Sequence, residues 1–470
     1  MRKTKIVCTL GPASDSEEIL RELLLAGLNV ARLNFSHGTH ESHAALIARF
    51  RRIRDELGVP AAVLLDTKGP EIRTGEFAAP VMLASGQKYT FTTEPVDGDE
   101  NHCSITYAGL PGDVAPGGFI LVDDGELSFR VDEVCGNEIR CTLQDGGKIQ
   151  GHKGINVPGV KLDMPFLSER DKSDLLFGIE QDVDFVAASF TRRGEDIAEM
   201  RAFLDEHGGE RIRIIAKIEN TEGVEKYEEI LALADGIMVA RGDMGVEVPF
   251  ELLPGIQKRM IRSCYQAGKV VITATQMLDS MEENRRPTRA EISDVANAVF
   301  DGTSAVMLSG ETASGKFPVE AVMAMARIAE QAEADDRNTG HKSEFIPELS
   351  DNTNAVSMAA CTLAEQVGAA AIIVDSSTGK AARRVSKFRP KAPILASTTD
   401  KKVYHQLALS WGVYPLMAKK TDSVDVLFHC AIESAIAKGY VHEGDSVVLT
   451  AGIPLNATGS TNTVKVQKVE

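Results

Sequence analysis

The sequence predicts an α/β protein: a TIM (β/α)8 barrel, a small inserted β-barrel lid and a C-terminal three-layer α/β domain. Three observations predict it. Eight short apolar runs each end on a polar residue, and most lead into a helix-forming stretch. Between the third and fourth runs the texture changes to alternating strands and glycine turns. After a polar stretch near 335–350 the strand–helix alternation restarts.

The eight runs are Thr4–Leu10, Asn29–Phe35, Ala62–Asp66, Asp184–Phe190, Arg213–Glu219, Gly236–Asp243, Val270–Gln276 and Ala305–Glu311. They are rich in Val and Ile, as parallel strands covered on both faces are. Glu17 to Ala26 carries apolar residues at helical spacing, and Ser168 to Asp171 reads as a capping box. Eight such units count to a closed barrel. From about Glu71 to Phe166 the strands are Gln87–Thr93, Phe119–Val122, Leu127–Val131 and Ile139–Leu143, with Gly117-Gly118 and Gly146-Gly147 at turns. An insertion after a barrel strand emerges on the catalytic face, where it can serve as a lid. The runs Ala370–Asp375, Pro393–Ser397, Val413–Ala418, Ser446–Thr450 and Thr463–Val469 build the last domain. The expected division is 1–70 and 167–345 for the barrel, 71–166 for the lid and 346–470 for a C-terminal domain.

Length and composition narrow the function. At 470 residues the chain exceeds one hydrophobic core. Its apolar runs are too short to span a bilayer, and no signal-peptide core follows the basic start. Seven cysteines without a CxxC pair fit reduced thiols in a cytoplasm. A net charge of -17 argues against nucleic-acid or anionic-membrane partners. An anionic substrate would need cations gathered locally.

In a TIM barrel the C-terminal strand ends surround the pocket. Those ends carry Arg32, Asn34 and Ser36; Asp66 and Thr67; Lys217 and Glu219; Asp243; Thr275; and Ser309 and Glu311. Alternation along a strand puts Arg32, Asn34 and Ser36 on one face, and Lys217 with Glu219 on another. A structural ion pair would account for one charged end; five charged ends on buried strands call for chemistry. Glu219 and Asp243, on adjacent strands, suit a shared hard cation such as Mg²⁺, and the absence of His and Cys argues against zinc. Arg32, Arg73 and Lys217 bring cations to the same mouth, as a migrating phosphoryl group needs. Lys217 is the candidate for stabilising that charge. Asn34, Ser36, Asp66 and Thr67 offer only oxygens, which suits a monovalent cation. Gly242 and Gly245 flank Asp243, so backbone N–H groups can approach an anion there; a tight strand–helix turn explains them as well. Thr275 reads either as a proton donor in the pocket or as a helix cap. Lys153, before Gly154 on the lid, reads either as a nucleotide-phosphate contact or as a surface lysine.

These residues lie within stretches that resemble the pyruvate kinase family along nearly the whole chain: KIVCTLGPAS (5–14), VARLNFSHG (30–38), LDTKGPEIRTG (65–75), KGINVPG (153–159), IIAKIENTEG (214–223), VARGDMGVE (239–247), TATQMLDSM (273–281) and RPTRAEISDVANAVFDGTSAVMLSGETASG (286–315). The resemblance implies transfer of a phosphoryl group from phosphoenolpyruvate to ADP, with Mg²⁺ (or Mn²⁺) and K⁺, in a cytoplasmic homotetramer. It implies Arg32, Lys217, Gly242, Asp243 and Thr275 as substrate contacts, with Lys217, Thr275 and Arg32 catalytic. It implies Glu219 and Asp243 as Mg²⁺ ligands, Asn34, Ser36, Asp66 and Thr67 at K⁺, and Asn34, Arg73 and Lys153 at the nucleotide. Glu71 resembles the K⁺-dependent variant of the family. Ser376, Ser377, Thr378, Gly379 and Lys380, between a strand and a helix, fit a phosphate or an ordinary capped loop; the resemblance favours a sugar-phosphate or AMP effector. The later loop, Ile453 to Asn462, lacks the basic and aromatic residues some relatives carry. Two other readings compete. A Mg²⁺-dependent aldolase or lyase acting on pyruvate enolate has no use for Arg73 and Lys153. A dead metabolite-binding homologue would be expected to have lost Lys217, Glu219 or Asp243.

Overall fold

Eight parallel strands close into a barrel: β1 (Lys5–Thr9), β2 (Val30–Asn34), β3 (Ala62–Asp66), β4 (Phe185–Ala188), β5 (Arg213–Ile218), β6 (Gly236–Ala240), β7 (Val270–Ala274) and β8 (Ala305–Leu308). Each pairs with its neighbours in chain order, and β1 closes the circle on β8 with Lys5 opposite Ala305. The computed structural model describes residues 1–339, 351–455 and 461–470. The boundary expected between 345 and 346, and the centre of the loop Ile453 to Asn462, lie outside the described residues. No helix among the described residues is long and apolar enough to cross a membrane.

Alternation along each strand divides its side chains between two cores. Val7, Val30, Leu64, Phe185, Ile215, Met238, Ile272 and Met307 fill the barrel interior. Ile6, Cys8, Ala31, Val63, Ala216 and Val239 face the surrounding helices. Capping residues fix where helices start: Ser168 and Asp171 form a capping box at Glu169–Glu180, and Thr288 with Glu291 does the same at Arg289–Phe300.

The inserted segment is a seven-stranded sheet with a two-stranded ribbon beside it. Its outer strands, Ile72–Arg73 and His102–Ser104, meet through an antiparallel bridge between Thr74 and Ile105. The sheet therefore curls almost into a closed barrel around Tyr89, Phe91 and Phe129. The last domain is a five-stranded sheet with Thr463–Lys468 as its antiparallel edge. Ile373 and Leu449 face the helix Val424–Ala437, while Ile372 and Val448 face Asn352–Gln366 and Lys380–Lys387, giving three layers.

The C-terminal domain plugs the bottom of the barrel. Leu409 joins the interior apolar cluster. Gln406 donates from Nε2 to the carbonyls of Asp184 (3.1 Å) and Arg211 (2.8 Å). Lys402 Nζ donates to Val183 O at 3.0 Å. Within this plug the Asp184 carboxylate accepts from Val63 N–H at 2.8 Å, and burial pushes its carboxyl up to about 6. An unfolded aspartate titrates near ~4. Between those values the folded protein keeps a proton that the unfolded chain has shed, so rising pH costs stability across that window and no further above it. Asp184→Asn is expected to gain on the wild type as pH rises from about 4 to about 6 and to level off above. Urea denaturation of both proteins across that range measures it; a constant difference would show that the group does not titrate there.

Candidate active site

The inward parity of β5 carries Ile215 into the core and then brings Lys217, and beyond it Glu219, to the mouth. The same parity brings Arg32 on β2, Asp66 on β3 and, after Ala187 on β4, Ser189. They form one network. Arg32 Nε donates to Asp66 Oδ2 at 2.6 Å and its Nη1 to Thr9 Oγ1 at 2.8 Å. Lys217 Nζ lies 3.1 Å from Asp66 Oδ1 and 2.9 Å from Glu219 Oε1, and donates to Ser189 Oγ at 2.7 Å. Ser189 Oγ also lies 3.1 Å from Asp66 Oδ1. Lys217 is 9 % exposed, Glu219 1 % and Asp66 0 %. Unpaired, such charges would cost several kcal/mol each.

Burial works against every charge here, and the neighbours decide the outcome. For Lys217 burial favours loss of the proton, but Asp66 and Glu219 outweigh it and hold the ammonium more firmly than usual. Burial would raise the Asp66 carboxyl too, yet Arg32 and Lys217 carry it below the ordinary range. Glu219 and Asp243 go the other way. Burial raises both, only partly offset by Lys217; Asp243 adds to the rise at Glu219, and Asp124 to that at Asp243. Two carboxylates short of positive charge are what a hard cation neutralises. Among the described residues no three His, Cys, Asp or Glu side chains form a metal cage; the pair stands alone.

Several positions differ from those expected. Strand β6 ends at Ala240, and Asp243 lies in the first turn of the helix Arg241–Glu247. Its approach to Glu219 therefore comes from a helix start and not from strand alternation. Ser36 lies in the turn after β2, where its N–H donates to Asn34 Oδ1 at 3.1 Å, so it does not share the strand face of Arg32 and Asn34. Ser309 and Glu311 follow β8; Glu311 accepts from the N–H groups of Leu278 (3.0 Å) and Ser309 (2.6 Å), a buried bracket for two loops. Thr275 follows β7 with φ of 65°. A β-branched residue pays conformational energy there, and such strain gathers at functional sites. Its Oγ1 accepts from Gly242 N–H at 2.7 Å and donates to Ala274 O at 2.6 Å, so that N–H is engaged with Thr275. Nothing within 3.4 Å would oppose a Cβ on Gly242; the nearest atom, Thr275 Oγ1, is at 3.5 Å.

Asn34 and Asp66 are direct neighbours in the β2–β3 register. Thr67 Oγ1 donates to Ala187 O at 3.2 Å. On the lid, Arg73 is opposite Gly154 in the sheet and is clasped by Glu71, with Nε–Oε2 and Nη2–Oε1 both at 2.8 Å. Lys153 Nζ donates to Asp123 Oδ1 at 2.8 Å. A cleft of about 170 Å³ between lid and barrel is lined by Glu71, Asp124, Asn156, Asn220, Asp243 and Glu247. In the C-terminal domain Ser376, Ser377, Thr378 and Lys380 line a cleft of about 290 Å³ with Arg384, Lys419 and Lys420. Gly379, at φ of 75°, precedes the helix there.

Sequence reasoning missed Ser189, the hydroxyl shared by Lys217 and Asp66. Its signal was present: two residues past Ala187 in the fourth apolar run, it has the inward parity of a strand end. Thr9, Asp123 and Asp124 were missed too.

The comparisons agree along the chain. Residues 1–322 match the family model "Pyruvate kinase, barrel domain" and residues 354–467 match "Pyruvate kinase, alpha/beta domain". Proteins named pyruvate kinase from Clostridium acetobutylicum and Clostridium perfringens are each 49% identical, over all of this chain and all of theirs. One from Geobacillus stearothermophilus is 49% identical over all of this chain and 80% of its own length. With two domain models matched in order and such identity end to end, the chain belongs to the pyruvate kinase family.

Proposed function

We propose that this protein transfers the phosphoryl group of phosphoenolpyruvate to ADP, giving pyruvate and ATP, with Mg²⁺ (or Mn²⁺) and K⁺. The observation that carries this reading is the buried ammonium of Lys217 held between Asp66 and Glu219 at the barrel mouth. A phosphoryl group in flight spreads negative charge over its equatorial oxygens, and a fixed, fully protonated ammonium stabilises it without reorganising. Arg32 is anchored through Nε and Nη1, which leaves Nη2 for the substrate phosphate. Glu219 and Asp243 would hold the divalent ion, and their all-oxygen set fits Mg²⁺ or Mn²⁺. Bound there, it would neutralise the anions brought together for transfer. Asn34, Ser36, Asp66 and Thr67, oxygen donors all, would hold K⁺. Thr275 Oγ1, kept in place by Gly242 N–H, would turn its proton from Ala274 O to the enolate carbon once the phosphoryl group has left. Asn34, Arg73 and Lys153 would meet the nucleotide; its phosphates would replace Glu71 and Asp123 as partners of the two lid cations.

In this reading residues 71–166 act as a lid over the barrel formed by 1–70 and 167–345, and 346–470 carry regulation. Ser376 to Lys380, backed by Arg384, Lys419 and Lys420, would take the phosphate of a sugar-phosphate or AMP effector. A cytoplasmic homotetramer completes the proposal. A coupled assay of pyruvate formation, with each ion omitted in turn, tests it; no turnover with both ions present would overturn it. Glu71→Lys sets an ammonium where a carboxylate now clasps Arg73, and activity without K⁺ is expected to rise toward the K⁺-saturated rate. Initial rates with and without K⁺ decide this; an unchanged requirement removes Glu71 from the monovalent site.

A further inference from the structure

On the side of the barrel away from the mouth, a cleft of about 380 Å³ runs along the seam with the C-terminal domain. Arg213, Asp235 and Lys269, at or just before the starts of β5, β6 and β7, form one wall; Lys380, Arg383 and Arg384 on the helix Lys380–Lys387 form the other. Five cations thus face a single carboxylate, in a chain that is acidic overall. Three of the five are already engaged. Arg213 Nη1 donates to Asp235 Oδ1 at 2.8 Å. Lys269 Nζ donates to the carbonyls of Leu231, Ala232 and Ala234. Arg384 Nη1 donates to Asp351 Oδ2 at 2.9 Å and Asn354 Oδ1 at 2.7 Å.

Arg383 and Lys380 have no carboxylate at salt-bridge distance among the described residues. Among those residues the Arg383 guanidinium makes a single hydrogen bond, of 3.3 Å, to Thr378 O. It lies so close over Gly379 that a Cβ there would fall 2.7 Å from Nη1. Burial, and then the charge of Arg213, disfavour its cationic form. A half-buried arginine set among other cations, with Asp235 the one carboxylate of the cleft and that already bonded to Arg213, is relieved by an anion.

We propose that this seam is an anion-binding site for a phosphate-bearing metabolite, distinct from the C-terminal cleft and from the catalytic mouth. Arg383 is its own cation and Lys380 the one it shares with the C-terminal cleft, and the phosphoryl group, with two negative charges and three acceptor oxygens, is the ligand class that matches them. Leu233, Ala234 and Ala267 line the same cleft and give the organic part an apolar wall. Because the walls come from two domains, an occupant ties the C-terminal domain to the barrel. The C-terminal cleft shares Thr378, Lys380 and Arg384 with the seam, but it lacks Arg383 and Leu233 and has Lys419 and Lys420 of its own.

Trp411, the chain's single tryptophan, lines a crevice together with Arg383 beside the seam and reports on it locally. Inorganic pyrophosphate, titrated into the full chain without divalent cations, should change Trp411 fluorescence saturably. Arg383→Gln should weaken that event about tenfold or more. Leu233→Glu, at an exposed position that leaves the packing intact, should do the same by repulsion. Lys420→Gln, in the C-terminal cleft, should leave it unchanged, and neither Arg383→Gln nor Leu233→Glu should alter basal turnover. Calorimetry on the same samples should lose one binding event in Arg383→Gln and in Leu233→Glu and keep it in Lys420→Gln. The proposal is overturned if neither method detects an event that depends on Arg383, or if Leu233→Glu binds like the wild type.

Discussion

Lys217→Met is expected to lower kcat by about 10²–10³-fold or more while the fold and the metal site persist. Methionine fills the same channel through β5 without the charge, so packing around Ile215 and Met238 has little reason to change. What disappears is the ammonium that Asp66, Glu219 and Ser189 hold in place. Two acidic side chains then lose a shared counter-ion, and the affinity for a divalent cation should stay level or rise. That signature separates the proposed role from a structural one. A residue needed only for folding would lose turnover and metal binding together; a transition-state cation loses turnover alone. Steady-state kinetics beside a Mn²⁺ titration supply both readings, and near-normal kcat removes Lys217 from the chemistry.

How far the sequence could be read depended on which contacts are local. The barrel strands were legible because burial on both faces leaves runs such as Val270–Ala274 apolar throughout. Their ends were less legible. The polar texture that marks a strand terminus continues into Arg241–Glu247, so the sixth run reads on to Asp243 although the strand stops at Ala240. The Lys217 and Glu219 pair was readable from a spacing of two on a buried strand. Ser189 was harder to see, because a serine after an apolar run is compatible with a turn. The positive φ of Thr275 had no local signal either, since nothing in the sequence requires a threonine to adopt it.

Long-range contacts were not legible. Leu409 enters the barrel interior from the C-terminal domain, and Gln406 satisfies carbonyls some two hundred residues earlier in the chain. The seam cations come from β5, from the loop before β7, and from the helix Lys380–Lys387, so no window of sequence contains them. Arg383 looks like an ordinary surface residue of an amphipathic helix until the barrel is placed against it.

Glu219→Gln is expected to remove most of the stabilisation that a divalent cation gives the protein. Burial already disfavours the anionic forms of Glu219 and Asp243, and each is near enough to affect the other's proton. A cation bound between them would relieve that, and binding to the folded state alone adds stability as RT ln(1 + L/Kd), with L the free cation concentration. At a Mn²⁺ concentration one hundred times its Kd the wild type should gain about 2.7 kcal/mol. A ligand loss that weakens binding about a hundredfold would leave about 0.4 kcal/mol at the same concentration, so most of the rise in Tm should vanish. The amide that replaces the carboxylate could still accept from Phe190 N–H through its oxygen, which preserves the loop after β4. The Lys217 ammonium would keep Asp66 and Ser189. Tm with and without Mn²⁺ is measured without substrate and therefore does not depend on turnover. If the variant's metal-induced shift equals that of the wild type, the cation sits elsewhere, and Asp243 must be tested with other partners.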